Sequence, residues 1–279
     1  FKNKVMPTLN KPMMRILTSI PGVSNLIYGK VRATLLNTFG GNLRSIVLGG
    51  AAISLPVEKV MRKIRLPYTV GYGMTECAPL IGYSPWESFR LGSCGRAVDN
   101  VVVRIDSEDP ENKVGEIQVH GDNVMQGYFK NPEATAATFT EDGYLRTGDL
   151  GIIDRNGNIF IKGRSKCMIL SPNGQNIYPE EIEADLQKVE GVCEVVVYAG
   201  ESRVQKDKIT IVAEIFPDAE LLADKGISNL QEYFETQVKE LNAKMPPYKA
   251  VKCVKLRDVE FQKNTSRKIT RFSIDKTID

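Results

Sequence analysis

The segment Gly71-Tyr72-Gly73-Met74-Thr75-Glu76 holds the densest set of residue types able to do chemistry in this sequence. Glycine lets a backbone approach a ligand, a tyrosine ring can stack on a base, a threonine hydroxyl can bond a phosphate oxygen, and a glutamate can hold a magnesium ion. The same residues also read as a tight turn followed by a helix cap. Gly49-Gly50-Ala51-Ala52 is either a small-residue surface on which an adenine ring lies or a packing turn. In Tyr144-Leu145-Arg146-Thr147-Gly148-Asp149 an acidic residue beyond a glycine suits a ribose diol, because a carboxylate accepts both hydroxyl hydrogens. A solvated loop aspartate is the alternative. Gly163-Arg164-Ser165-Lys166 offers a forked, permanently charged guanidinium to ribose or phosphate, or else a surface salt bridge. Residues 263–271 form a basic loop containing Lys268, a pattern that is otherwise a solvated charged face.

Positioning these groups needs an ordered scaffold. Residues 43–50 form a buried-strand pattern running into paired glycines, and residues 68–70 end at Gly71 in the same way. Between them, Pro56 suits a first helical turn, and Val57, Val60, Met61 and Ile64 have the spacing of a helix face. Strand, helix, strand predicts an α/β sheet. From Gly92 to Asp149 short alternating strands (101–105 and 116–120) suggest a small β-rich subdomain, and Asp154-Arg155-Asn156-Gly157 predicts a hairpin turn. After Gly163 the pattern resets to a helix opened by Pro179, strands over 192–198 and 209–216, a second helix, and a last strand over 251–256. The second helix has a capping box of Ser228 with Gln231, an apolar stripe from Leu230 to Met245, and a stop at Pro246 and Pro247. This predicts a compact α+β domain with a boundary near Lys166.

Composition narrows the classes. No run of eighteen apolar residues occurs, which predicts a chain that does not span a bilayer. The five cysteines form no CxxC pair, so neither a zinc ribbon nor a disulfide framework is implied, and a cytoplasmic location fits. The single histidine, His120, lies in a strand pattern and reads as structural, which argues against Ser-His-Asp catalysis. A net charge of +3 suits small anionic ligands better than nucleic acid. Phe1, without a signal-peptide layout after it, suggests a fragment.

Read together, GYGMTE, TGD fifteen residues before the arginine of GR, GQNIYPEEIE and the KITR tail resemble, in order and spacing, the core motifs of the adenylate-forming superfamily. The resemblance runs from about Ile27 to Arg271, and GGNLRSIVLGGA in particular is similar to long-chain fatty acid–CoA ligases. It implies a fold of α/β and α+β parts. Residues 1–165 would be the end of the large AMP-binding domain, with a distorted β-barrel over about 92–165. Residues 166–279 would be a mobile C-terminal lid. It implies that Ala51 and Tyr72 hold adenine, Thr75 the α-phosphate and Glu76 the magnesium ion, with Gly50 and Gly73 among the cofactor-binding residues. Asp149 would take the ribose hydroxyls and Arg164 ribose or phosphate. Lys166 would be the hinge, Gly174 would line the pantetheine tunnel, and Lys268 would be the adenylation lysine. Gly92, Ser93 and Gly95 match the segment near the carboxylate substrate. The implied substrates and cofactors are a fatty acid, ATP, Mg²⁺ and coenzyme A, with peripheral membrane contact allowed. Gln262, Asn264 and Arg267 depart from the family's lysine loop, which puts that loop's geometry in question. A Ser/Thr- and Gly-rich triphosphate loop is absent from the sequence, so this stretch by itself is expected to turn over poorly or not at all. Transfer to a carrier-protein phosphopantetheine arm, or a non-catalytic nucleotide-binding module, are the alternatives.

Overall fold

Parallel strands need a crossover, and the first such unit shows one. In the computed structural model, which describes residues 12–20, 22–50, 53–201, 209–265 and 267–278, helices α1 (Pro12–Ser19) and α2 (Val23–Thr38) precede β1 (Ile46–Leu48). Helix α3 (Leu55–Lys63) then crosses to β2 (Tyr68–Val70), which pairs parallel to β1 from Ile46↔Tyr68 to Leu48↔Val70. Pro56 sits in the first turn of α3, where a missing N–H breaks no helical bond. The helix buries Met61 and Ile64 in a cluster with Leu66, Tyr68, Val70 and Phe89. Unlike the buried strand expected from sequence, β1 leaves Val47 55% exposed, and among the described residues it pairs only with β2.

Two further sheets follow. One orders β3 (Tyr72–Gly73), β4 (Leu80–Tyr83) and β5 (Arg96–Ala97). The other orders β6 (Val101–Asp106), β7 (Gly115–Gly121), β8 (Leu145–Ile153) and β9 (Ile159–Arg164), with α4 (Pro132–Thr138) between β7 and β8. Cys77, Ile81, Ile117, Val119, Leu145 and Ile159 form their core with no exposure. Among the described residues both sheets are open, which corrects the expected distorted barrel. The β8–β9 turn is closed as predicted. Asp154 Oδ1 accepts from the N–H groups of Asn156 and Asn158, each at 2.9 Å, and Gly157 takes φ +79°.

The chain divides into two compact units, residues 1–147 with 151–161, and residues 148–150 with 162–279. The second contains β10 (Ile169–Leu170), β11 (Asn176–Ile177), α5 (Pro179–Leu186), β12 (Val192–Gly200), β13 (Thr210–Pro217), α6 (Ala219–Asp224), α7 (Leu230–Asn242) and β14 (Cys253–Leu256). Strands β12 and β13 are antiparallel, and β14 joins β13 in parallel. The period-two alternation of β12 sorts its residues to two faces. Val195 and Val197 pack with Ile182, Leu186, Phe234 and Val238, while Val196 and Tyr198 pack with Val212 and Phe261.

Three local expectations change. Helix α7 is capped by Asn229, whose Oδ1 accepts from Glu232 N–H at 3.2 Å, one residue beyond the expected Ser228–Gln231 box. The short helix α6, capped by Asp218, was not legible as a separate element. The last strand starts at Cys253 instead of Val251, because Val251 spends both backbone groups on the Asn242 amide, at 2.8 and 2.9 Å.

Candidate active site

In the first unit the two glycine turns lie side by side at the carboxyl ends of β1 and β2. Gly71 N–H donates to Leu48 O at 2.8 Å, and a Cβ on Gly49 would lie 3.7 Å from Gly71 O. Gly50 adopts φ +81°, a conformation glycine takes without strain, whereas Ala51 lies outside the described residues. Strand β3 then turns sharply. A Cβ on Gly73 would fall 1.8 Å from Pro79 O, so only glycine fits. The Thr75–Cys77 turn is anchored by the fully buried Cys77, whose thiol burial pushes up to about 11, and it leaves Thr75 exposed and Glu76 half-buried. Tyr72 is only 6% exposed and packs with Cys77, Ile81 and Ile117, so its ring is part of the core and offers little surface for stacking.

A segment that the sequence reading passed over clamps this turn. Asn123 Nδ2 donates to Cys77 O and Leu80 O, both at 2.7 Å, and Met125 N–H donates to Glu76 O at 2.8 Å. Tyr128 Oη donates to Glu76 Oε1 at 2.9 Å, a bond that raises the tyrosine's pKa. The available sequence cue was Gly127-Tyr128 running into Asn131-Pro132, an N-cap with proline at the first helical position. The segment 92–95 is held from α3. Glu58, 1% exposed, accepts Gly92 N–H on both oxygens at 3.1 Å and lies 3.3 Å from Tyr68 Oη. Ser93 is buried and donates to Arg90 O at 2.7 Å, and a Cβ on Gly95 would come within 2.3 Å of the Tyr83 carbonyl carbon.

The second unit brings together the expected ribose-binding pair. Asp149 in β8 and Arg164 at the end of β9 stand on neighbouring strands, with Arg164 Nε 3.0 Å from Asp149 Oδ1. Asp149 is 7% exposed, while the arginine side chain is 67% exposed and presents its remaining donors outward. Lys166 is exposed on the turn that follows. Gly174, at φ +74°, tips the β10–β11 hairpin and donates to Ser171 O at 2.9 Å.

Lys268 stands on another hairpin. Lys263 bridges Ile269, Asn264 N–H donates to Lys268 O, and Lys268 N–H returns a bond to Asn264 Oδ1, both at 2.9 Å. Arg267 adopts φ +59°, so it takes the left-handed conformation that the family's glycine would take freely, and the departure leaves the turn intact. Ion pairs fix both flanks. Lys263 pairs with Glu194 and Glu260, and Arg271 bonds Glu183 Oε2 at 2.5 Å, while Glu183 also accepts Val197 N–H at 2.7 Å. Lys268 itself is exposed and makes no ion pair among the described residues. His120 rests against the Tyr144 ring at 5.4 Å. Among the described residues no group of three His, Cys, Asp or Glu side chains gathers as a metal cluster, and no helix is long and apolar enough to cross a membrane.

A family model described as AMP-binding enzyme matches residues 5–129. With the motif geometry above and the matches below, the chain is similar to the adenylate-forming superfamily. The chain is acyl-CoA synthetase-like. It is 34% identical over 193 residues to long-chain-fatty-acid–CoA ligase 4 of Saccharomyces cerevisiae, covering 67% of this chain and 28% of that protein. Its fold is similar to ATP-bound MatB from Rhodopseudomonas palustris, at TM-score 0.73 and 27% identity, covering 90% of this chain and 49% of that one. It is also similar to O-succinylbenzoate coenzyme A synthetase from Bacillus subtilis in complex with ATP and a magnesium ion, at TM-score 0.69 and 26% identity, covering 90% and 53%. Other relatives are named 2-succinylbenzoate–CoA ligase and 4-coumarate–CoA ligase. The chain thus spans less than half the length of the curated relatives it matches.

Proposed function

We propose that the full-length protein is an AMP-forming acid–thiol ligase that activates a long- or medium-chain fatty acid as acyl-adenylate and passes it to coenzyme A. The observation that carries this reading is Lys268. Its ammonium is exposed on a hairpin whose flanks are tied down by Glu194 and Glu183, the arrangement expected of a charge presented to a ligand.

Glu76 fits a nucleotide-bound Mg²⁺. Magnesium keeps several waters and takes one or two carboxylates plus phosphate oxygens, and Glu76 is half-buried with Oε1 already oriented by a neutral donor. When bound, the ion supplies positive charge that offsets negative charge gathering at the α-phosphorus. In this reading the Thr75 hydroxyl donates to an α-phosphate oxygen. Asp149 accepts the ribose hydroxyls, and Arg164 donates to ribose or phosphate. Gly50, Ala51 and Gly73 admit adenine to the backbone, and Tyr72, locked in the core, gives that wall its rigidity more than a stacking face. Lys268 neutralises charge as the fatty carboxylate attacks and pyrophosphate leaves. A swing of residues 166–279 about Lys166 then brings the Gly174 hairpin to the pantetheine arm for the thiolate attack that releases AMP. We place the enzyme in the cytoplasm, with peripheral membrane contact to collect its acyl substrate.

Relatives named for long-chain fatty acids support the fatty-acid reading, with relatives named for succinylbenzoate and coumarate as the competing substrates. ATP–pyrophosphate exchange by the full-length protein over a panel of fatty, aryl and dicarboxylic acids tests it, followed by acceptor screening with coenzyme A and carrier proteins. Exchange driven best by fatty acids and transfer to coenzyme A are expected. Exchange driven only by aryl or dicarboxylic acids would sink the substrate assignment.

A further inference from the structure

A glutamate that is half open to solvent must be oriented before it can bind an ion in one geometry, and fixing a free glutamate costs rotamer entropy. The backbone of Glu76 is already fixed, by Met125 N–H on its carbonyl and by Asn123 on the carbonyl of Cys77. Its carboxylate is fixed separately, by the Tyr128 hydroxyl at 2.9 Å. Tyr128 is in turn held from α4. Its N–H donates to Thr135 Oγ1 at 2.9 Å, that hydroxyl donates to Asn131 O at 2.8 Å, and Gly127 lies so close to Thr135 that a Cβ there would come within 2.7 Å of it. A phenol is a neutral donor. Unlike lysine or arginine in the same place it orients a carboxylate without cancelling the charge a cation needs.

We propose that Tyr128 is a positioning residue for Glu76, holding Oε1 so that the carboxylate faces the nucleotide-bound divalent cation in one orientation. The inference rests on the reading of Glu76 as a ligand to that cation.

The test uses the full-length protein with ATP, and reads Mn²⁺ binding by electron paramagnetic resonance together with the kinetics of adenylation. Outer-shell partners of metal ligands are typically worth 10–100-fold in affinity, so Tyr128→Phe is expected to weaken Mn²⁺ binding about tenfold and to raise the KM for metal–ATP more than it lowers kcat. Glu76→Gln is expected to weaken binding further, and adding Tyr128→Phe to it is expected to change binding less than about twofold, because a residue acting through Glu76 has nothing left to orient. Unchanged Mn²⁺ affinity in Tyr128→Phe, with a clear loss in Glu76→Gln, overturns the inference alone. So does the same fold loss from Tyr128→Phe in both backgrounds, which would mark a merely structural role. No loss in Glu76→Gln overturns the reading of Glu76 and the inference with it.

Discussion

Glu58 in the first unit, which is buried, and Glu183 in the second, which is partly buried, both stand on a helix with proline in its first turn, and each ties down a loop carrying expected site residues. Glu58 holds Gly92 through an amide and meets a phenol. Glu183 holds the Lys268 hairpin through Arg271. Burial raises the pKa of both, and only Glu183 has a guanidinium bonded to it, which acts against that rise. One loop is held by a backbone amide and a phenol on a single carboxylate, whereas the hairpin that carries Lys268 is held by a carboxylate–guanidinium pair. Losing the carboxylate costs the first device neutral donors' bonds and leaves a guanidinium without its nearest partner in the second.

The comparison can be broken at its strongest point by Glu183→Gln. Removing one partner of a buried pair leaves the other charge uncompensated, at about 3–5 kcal/mol. Arg271 keeps 30% exposure and has Glu180 at 3.9 Å, so a loss near the lower end, ~3 kcal/mol, is expected in urea unfolding of the chain. A loss below about 1 kcal/mol would show that the pair is ornamental.

Glu58→Gln sharpens the other side with a smaller effect. The folded-state pKa of Glu58 lies above its ordinary value of 4.5, so the folded chain takes up this proton more readily than the unfolded one. Its contribution is therefore fully present below 4.5 and is lost as pH rises through the folded value. The wild-type advantage over Glu58→Gln should be greatest near about pH 4, at roughly 1 kcal/mol for one hydrogen bond, and should shrink or reverse toward about pH 8. An advantage that grows with pH would contradict the assignment.

The sequence made legible whatever local periodicity and turn chemistry decide. The α3 face, the Asp154–Asn158 turn, and the α5 and α7 helices follow from apolar spacing and proline or Asn-Gly placement. Helix α7's cap slipped by one residue because Ser228 and Asn229 are both competent caps and only the Glu232 contact separates them. The expected site motifs were picked out by residue type. What fixes them was not, since Glu58–Gly92, Tyr128–Glu76 and Glu183–Arg271 join residues 34, 52 and 88 apart. Such pairings are set by tertiary packing, and no local period carries them. Arg267 shows the reverse case, where residue type suggested a changed turn and the backbone kept it, since the αL conformation costs a single residue only about 1–2 kcal/mol.

The central claim is that Lys268 serves adenylation and not thioester formation. Its most direct test is Lys268→Ala in the full-length protein, measuring acyl-adenylate formation and, separately, conversion of supplied acyl-adenylate to acyl-CoA. The account predicts a loss of about 10²–10³-fold in the first reaction with the second largely retained. Equal losses in both, or none in the first, would contradict it.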